Sequence, residues 1–188
     1  MQELAPGIML FDNVFINSIE YIKAIEENNI SWREAEVLVS EEENVSGSNY
    51  KARDTDLIML PHHEWEQDGI LADMTKEFHA EMTKCLDQYK DFYYAKIQKF
   101  ESPQLLRYGP EQKFHDHVDD HPFFTRRISM TYYINEDYEG GDVEFPRFNL
   151  RFKAKKNQLL VFPSNFIYNH QVHPVTSGLR YVIVQWMA

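Results

Sequence analysis

Residues 179–186 read LRYVIVQW. From Tyr181 to Trp186 there is no charge and one near-continuous apolar run, so Arg180 opens a strand expected to lie buried. The same kind of segment recurs from Ser102 onward. QLLRY (104–108), KFHDHV (113–118), RRISMTYYI (126–134), GDVEF (141–145), LRFKA (150–154), QLLVFP (158–163) and NHQVHPV (169–175) are short, rich in Val, Ile, Tyr or Phe, and set apart by Gly, Pro and Asn. Strands of this length separated by turns indicate an antiparallel sandwich or a small barrel.

Upstream the pattern is helical. NSIEYIKAIEENN offers Asn17 or Ser18 as an N-cap, with Ile16, Ile19, Ile22 and Ile25 recurring every three residues. Between about Glu64 and Tyr94, Ile70, Met74, Phe78, Met82, Leu86 and Tyr89 step by three or four and form one apolar stripe, the core face of a helix or helix pair. Between these lies SEEENVSGSNYKARDTD (40–56), polar and short of apolar anchors, expected to be a mobile loop. Helices first and strands second predict helices packed against one sheet of a β-sandwich.

The 188 residues suit one domain, and 43% hydrophobic with 14% aromatic residues suit a folded globule. No apolar run approaches the roughly 20 residues that span a bilayer. The opening MQELAPGIML has no basic n-region or long apolar segment, and the single Cys85 suits a reducing compartment, so the expected location is the cytoplasm. A net charge of −11 disfavours nucleic acid as a partner, because such binders need a basic footprint.

Chemistry concentrates in FHDHVDDHP (114–122). On a strand, His115, His117 and Asp119 share one face while Asp116, Val118 and Asp120 share the other. Neighbours at i and i+2 sit about 7 Å apart and can reach one metal ion. A third ligand would come from His170 or His173. Arg180, on its apolar strand, needs an anionic partner, either a core carboxylate or the carboxylate of a ligand. Ser129, Thr131 and Tyr133 form a column of hydroxyls on one strand face. Two histidines, a carboxylate, a buried arginine and these hydroxyls describe a 2-His-1-carboxylate iron site beside a dicarboxylate pocket.

Together these segments resemble the prolyl 4-hydroxylase branch of the Fe(II)- and 2-oxoglutarate-dependent dioxygenases. RYGPEQKFHDHVD (107–119) is similar to the family's tyrosine, glycine-containing turn, aromatic and His-x-Asp. RRISMTYYIN (126–135) is similar to its strand ending Tyr-Leu-Asn, and YEGGDVEF (138–145) to its double-glycine turn. NQLLVFPS (157–164) resembles the strand before the distal histidine. HQVHPVTSGLRYVIVQW (170–186) resembles the closing His-x-x-x-Pro-Val, Gly-x-Arg or Gly-x-Lys, and tryptophan.

The resemblance implies an α+β, mainly β fold: a double-stranded β-helix (jelly-roll) core with N-terminal helices packed on one sheet. Residues 1–188 would form one domain, 1–100 being helical support and a mobile loop, 101–188 the catalytic core. It selects His117, Asp119 and His170 as iron ligands over His115, His121 and His173. It gives Arg180 the far carboxylate of 2-oxoglutarate, shared with Tyr133; Thr131 would line that pocket and Tyr108 sit near it. Arg126, nine before Asn135, corresponds to a position that approaches substrate, with Arg127 as its neighbour and rival. The implied reaction consumes 2-oxoglutarate and O2, with ascorbate as accessory reductant. It hydroxylates a C–H bond of a proline-containing protein or peptide, as a procollagen-proline 4-dioxygenase does, or another side chain or small molecule. The products besides the alcohol are succinate and CO2. The segment 41–54 would shape substrate choice.

Three rivals compete with this reading. A nucleic-acid dealkylase would carry a second arginine six residues after Arg180, where Trp186 stands. A cupin using His115 and His117 would want a glutamate shortly after, and VDDHPFF has none. A non-catalytic jelly-roll binding module would have no need of intact ligands together with Arg180.

Overall fold

The computed structural model describes residues 1–35, 37–40, 45–47, 53–120 and 125–188. In chain order the strands are β1 (Gln2–Ala5), β2 (Ile8–Phe11), β3 (Arg33–Glu34), β4 (Val37–Ser40), β5 (Val45–Gly47), β6 (Arg53–Asp54), β7 (Asp56–Met59), β8 (Gln104–Tyr108), β9 (Lys113–His117), β10 (Ile128–Tyr133), β11 (Glu139–Gly140), β12 (Val143–Phe145), β13 (Leu150–Phe152), β14 (Leu159–Pro163), β15 (His170–Val172), β16 (Val175–Ser177) and β17 (Arg180–Met187). Helix α1 (Ser18–Glu27) follows β2, and α2 (Ile70–Tyr93) follows β7.

Among the described residues, an eight-stranded sheet runs β1-β2-β14-β10-β17-β8-β7-β3 and a five-stranded sheet runs β13-β12-β15-β9-β6. All their pairings are antiparallel. One face of the larger sheet packs on the helices: Met9, Leu105, Tyr132, Val161 and Ile183 join Ile22, Phe78 and Met82 in one buried cluster. Its other face meets the smaller sheet, where Leu106, Tyr133, Leu160 and Val182 join Val143, Phe145 and Val172. This is the expected double-stranded β-helix with helices on one sheet.

The helix stripes show why these segments fold as they do. In α2, Met74, Phe78, Met82, Leu86 and Tyr89 are all buried, as their spacing predicts. The helix opens at Ile70 rather than near Glu64, because Gly69 has φ 104, outside helical space. In α1 the buried positions are Ser18, Ile22 and Ile25, four and three apart. Ile16 precedes the helix and is exposed, so the expected every-third-residue stripe is replaced by a true helical one.

The strands after Ser102 match their sequence runs, except that NHQVHPV divides into β15 and β16 around Pro174, which cannot donate to a ladder. Residues 1–100 are less helical than expected. β1, β2, β3 and β7 extend the larger sheet and β6 the smaller. These pieces are two to four residues long, too short to show alternation, and Ile8–Phe11 is buried on both faces. Of the expected loop 41–54, residues 41–44 and 48–52 lie outside the described residues. β4 and β5 pair as a ribbon, and β6 pairs with β9.

Candidate metal centre and adjoining arginine pocket

β9 and β15 are neighbours in the smaller sheet, and their register sets His170 directly opposite His117. The chain then leaves β9 and brings the Asp119 carboxylate close to both Nε2 atoms. His117 Nε2 lies 3.6 Å from Asp119 Oδ1 and His170 Nε2 lies 3.7 Å from Oδ2. One donor atom from each of the three residues lies within 4.8 Å of the others. The tautomers are fixed from behind. His117 Nδ1 is 2.7 Å from the His115 carbonyl, and His170 Nδ1 is 3.1 Å from the Tyr168 carbonyl. A carbonyl only accepts, so each Nδ1 carries the hydrogen and each Nε2 presents a lone pair to the common point.

Electrostatics suit a cation there. Burial alone would raise the Asp119 carboxyl, but His170, His117 and a hydrogen bond from Ser129 hold it well below the usual carboxylate range. Ser129 is tied in turn to Ser164, Oγ to Oγ at 2.8 Å. His170 is held down at about 4 by burial and by His117, which leaves it neutral and able to ligate. Phe114 stacks on His117 at 3.5 Å, while Phe162 meets His170 edge-on at 4.8 Å, restricting both rings. Two imidazole nitrogens and one carboxylate on one side of a point are the donor set of a facial triad.

The larger sheet supplies the facing wall. Tyr108, Thr131, Tyr133 and Arg180 line the same cavity as His117, Asp119 and His170. Register places Arg180 opposite Tyr108, with Tyr133 opposite Val182 on the neighbouring strand. Arg180 is 1% exposed, and among the described residues no carboxylate lies within 4 Å of it. Its Nε and Nη1, and the Tyr133 hydroxyl, are buried without hydrogen-bond partners. Burial works against the Arg180 charge, but Tyr138, Tyr133 and Tyr108 more than offset it. A guanidinium held charged beside unbonded hydroxyls fits the far carboxylate of a dicarboxylic acid.

The other expectations divide. His115 is exposed, and His121 lies outside the described residues. His173 turns away and pairs with Glu144 at 2.6 Å. Arg126 lies beside the cluster, but its fork is bidentate to Glu101, at 2.6 and 2.7 Å, and Nη1 reaches the Asp119 carbonyl at 3.3 Å. It rests 3.9 Å above the Trp186 ring. Arg127 instead lines a separate cavity with Lys96 and Lys99. Arg53 escaped sequence reasoning. It is 7% exposed, lines the cavity, and sits over the Phe114 ring because β6 pairs with β9. Nothing local marks it, since its burial comes from pairing with Phe114, about 60 residues away in sequence.

Residues 103–188 match the sequence model of the 2OG-Fe(II) oxygenase superfamily. A PKHD-type hydroxylase of Crocosphaera subtropica is 32% identical over 95 residues, covering 46% of this chain and 42% of that protein. Procollagen-lysine,2-oxoglutarate 5-dioxygenase 1 of Rattus norvegicus is 34% identical over 98 residues, covering 50% of this chain and 13% of that one. The match thus spans less than half of either relative. A solved prolyl hydroxylase from Trichoplax adhaerens, in complex with a hypoxia inducible factor oxygen degradation domain peptide, superposes with a TM-score of 0.73 at 18% identity. That superposition covers 96% of this chain and 83% of that one, and it is a likeness of fold.

Proposed function

We propose that this chain, whose residues 103–188 match the 2OG-Fe(II) oxygenase superfamily model, uses Fe(II) and 2-oxoglutarate to hydroxylate a C–H bond. One observation carries the reading: two Nε2 atoms and a carboxylate converge on a point in the same cavity as a buried arginine with unbonded donors. His117, Asp119 and His170 would hold the metal from one side and leave positions open on the other. Arg180 would grip the distal carboxylate of 2-oxoglutarate as a fork, Tyr133 would donate to the same group, and Thr131 and Tyr108 would wall the pocket. When bound, iron, 2-oxoglutarate and O2 supply the oxidation, with ascorbate as accessory reductant, and yield succinate, CO2 and the alcohol. The protein's part is to hold Asp119 ionised and His170 neutral, and to keep the pocket dry.

A proline-containing peptide is the leading acceptor, in line with the prolyl hydroxylase fold. A lysyl side chain is the second reading, favoured by the 34% identity to a procollagen-lysine dioxygenase. Arg126, with its fork on Glu101, is better suited to brace Asp119 than to hold substrate. The test is succinate release with Fe(II) and 2-oxoglutarate, with proline-rich and lysine-bearing peptides screened for the mass gain of one oxygen. His117→Ala and Asp119→Ala should abolish turnover, while His115→Ala retains most of it. Equal loss from all three would reject the ligand assignment.

A further inference from the structure

Arg180 is embraced by three tyrosines, and one of them has no role in the reading above. Tyr108 and Tyr133 present their rings 4.9 and 5.4 Å from the guanidinium carbon. Tyr138 is different: it is 3% exposed, and its hydroxyl is buried without a hydrogen-bond partner among the described residues. It leads the neighbours that favour the Arg180 charge, and among the described residues Arg180 Nε and Nη1 are unsatisfied as well. A buried phenol oxygen and buried guanidinium hydrogens left unpaired side by side are costly unless some state of the protein joins them.

The backbone holds Tyr138 against Arg180. A Cβ on Gly141 would come 2.9 Å from Arg180 Cδ and 3.1 Å from Tyr138 Cε2, so only a glycine, here at φ +67, lets both side chains close on that point. Asn135 clamps the connection that carries Tyr138 to the strand that carries Arg180. Its Nδ2 donates to Asp137 Oδ1 at 2.6 Å and to the Leu179 carbonyl at 2.7 Å, and its Oδ1 accepts from the Tyr181 amide at 2.9 Å. Lys153 Nζ donates to the Tyr138 carbonyl and lies 5.0 Å over its ring. Tyr138 thus has little freedom to find another partner.

We propose that Tyr138 is a positioning residue for Arg180. Its hydroxyl accepts from the edge of the guanidinium that the distal carboxylate of the cosubstrate leaves free, and so fixes the plane of the fork. Arg has five N–H groups and a bidentate carboxylate takes two, so an acceptor on the remaining edge decides where the fork points. The inference rests on the 2-oxoglutarate reading, and it adds a residue to that site on the ground of its own unpaired hydroxyl.

The experiment is calorimetric binding to the Mn(II)-loaded full chain without oxygen, with wild type and Tyr138→Phe against 2-oxoglutarate and pyruvate. Pyruvate keeps the keto acid and lacks the distal carboxylate. Phenylalanine keeps the ring and its packing, and removes only the oxygen. The expected result is 2-oxoglutarate affinity lowered about tenfold, as for one lost hydrogen bond to a charged group, with pyruvate affinity and the thermal midpoint unchanged. Affinity for 2-oxoglutarate within twofold of wild type would overturn the proposal while leaving the proposed function standing. Equal weakening toward both ligands, or a fall in thermal midpoint, would make Tyr138 a packing residue and also overturn it. Absence of 2-oxoglutarate binding to the wild-type chain would remove both readings together.

Discussion

Tyr132 and Tyr133 are neighbours on β10, equally buried, and they point to opposite faces of the larger sheet. On the helical face, the Tyr132 hydroxyl lies within reach of Ser18 Oγ at 2.8 Å, Asn157 Oδ1 at 2.9 Å and the Phe15 carbonyl. On the cavity face, among the described residues, the Tyr133 hydroxyl has no partner, and neither do Tyr138 Oη or Arg180 Nε and Nη1. The helical face closes the Tyr132 hydroxyl within the protein. The cavity face leaves them open, which is the mark of a surface completed by a ligand. One residue of strand period separates the two.

The comparison can be broken by substitution, and the largest effect should come from the helical side. Phe78, fully buried between the Phe15 and Tyr132 rings, should cost about 3–5 kcal/mol as Phe78→Ala, read as a shift in denaturant midpoint. Folded Phe78→Ala protein should bind metal at His117, Asp119 and His170 as wild type does. Arg180→Ala should invert this pattern. With no anionic partner among the described residues, its removal should leave stability unchanged or higher, while 2-oxoglutarate binding weakens by roughly 2–5 kcal/mol. A strongly destabilised Arg180→Ala would mean that the pocket is a structural element.

The paired tyrosines give a finer test. Tyr132→Phe should destabilise by about 1–3 kcal/mol, because it strands buried partners, and leave cosubstrate affinity alone. Tyr133→Phe should be close to neutral in the free protein and lower cosubstrate affinity. Burial raises the Tyr133 phenol well above its usual range, so this donor stays protonated at any working pH. Equal effects of the two changes would erase the distinction between the faces.

The smallest effect concerns pH on the helical side. His79 stacks on His63 at 3.6 Å, and burial, then His63 and His62, hold it down at about 4. An unfolded imidazole titrates at about 6.5, so below that value the unfolded chain takes up a proton that the folded chain refuses. The stabilisation is therefore complete above about 6.5 and is lost as pH falls toward about 4. Midpoints measured at several pH values should show this slope in wild type and a flatter one in His79→Phe.

Where a signal is local and periodic, the sequence reading holds. Met74 to Tyr89 mark one buried helix face, and the apolar runs after Ser102 mark β8 to β17. The helical reading of residues 1–100 falls short at Ile8–Phe11 and Asp56–Met59, four-residue strands whose conformation is dictated by Leu159–Val161 and Gln104–Arg107 alongside them. Arg126 illustrates a different limit. Its position in the chain was legible, but its partner Glu101 comes from outside the motif, so its engagement was not.

By itself the sequence determined which chemical groups could meet: an imidazole and a carboxylate two positions apart, a distal histidine, and a lone arginine opening an apolar strand. These follow from residue type and from the two-residue repeat of a strand. Only the tertiary structure decided that His170 lies opposite His117, that both Nε2 atoms face Asp119, and that Tyr138 and Arg180 close over Gly141. Register between distant strands is set by the packing of two whole sheets against each other, a quantity that no short stretch of chain contains.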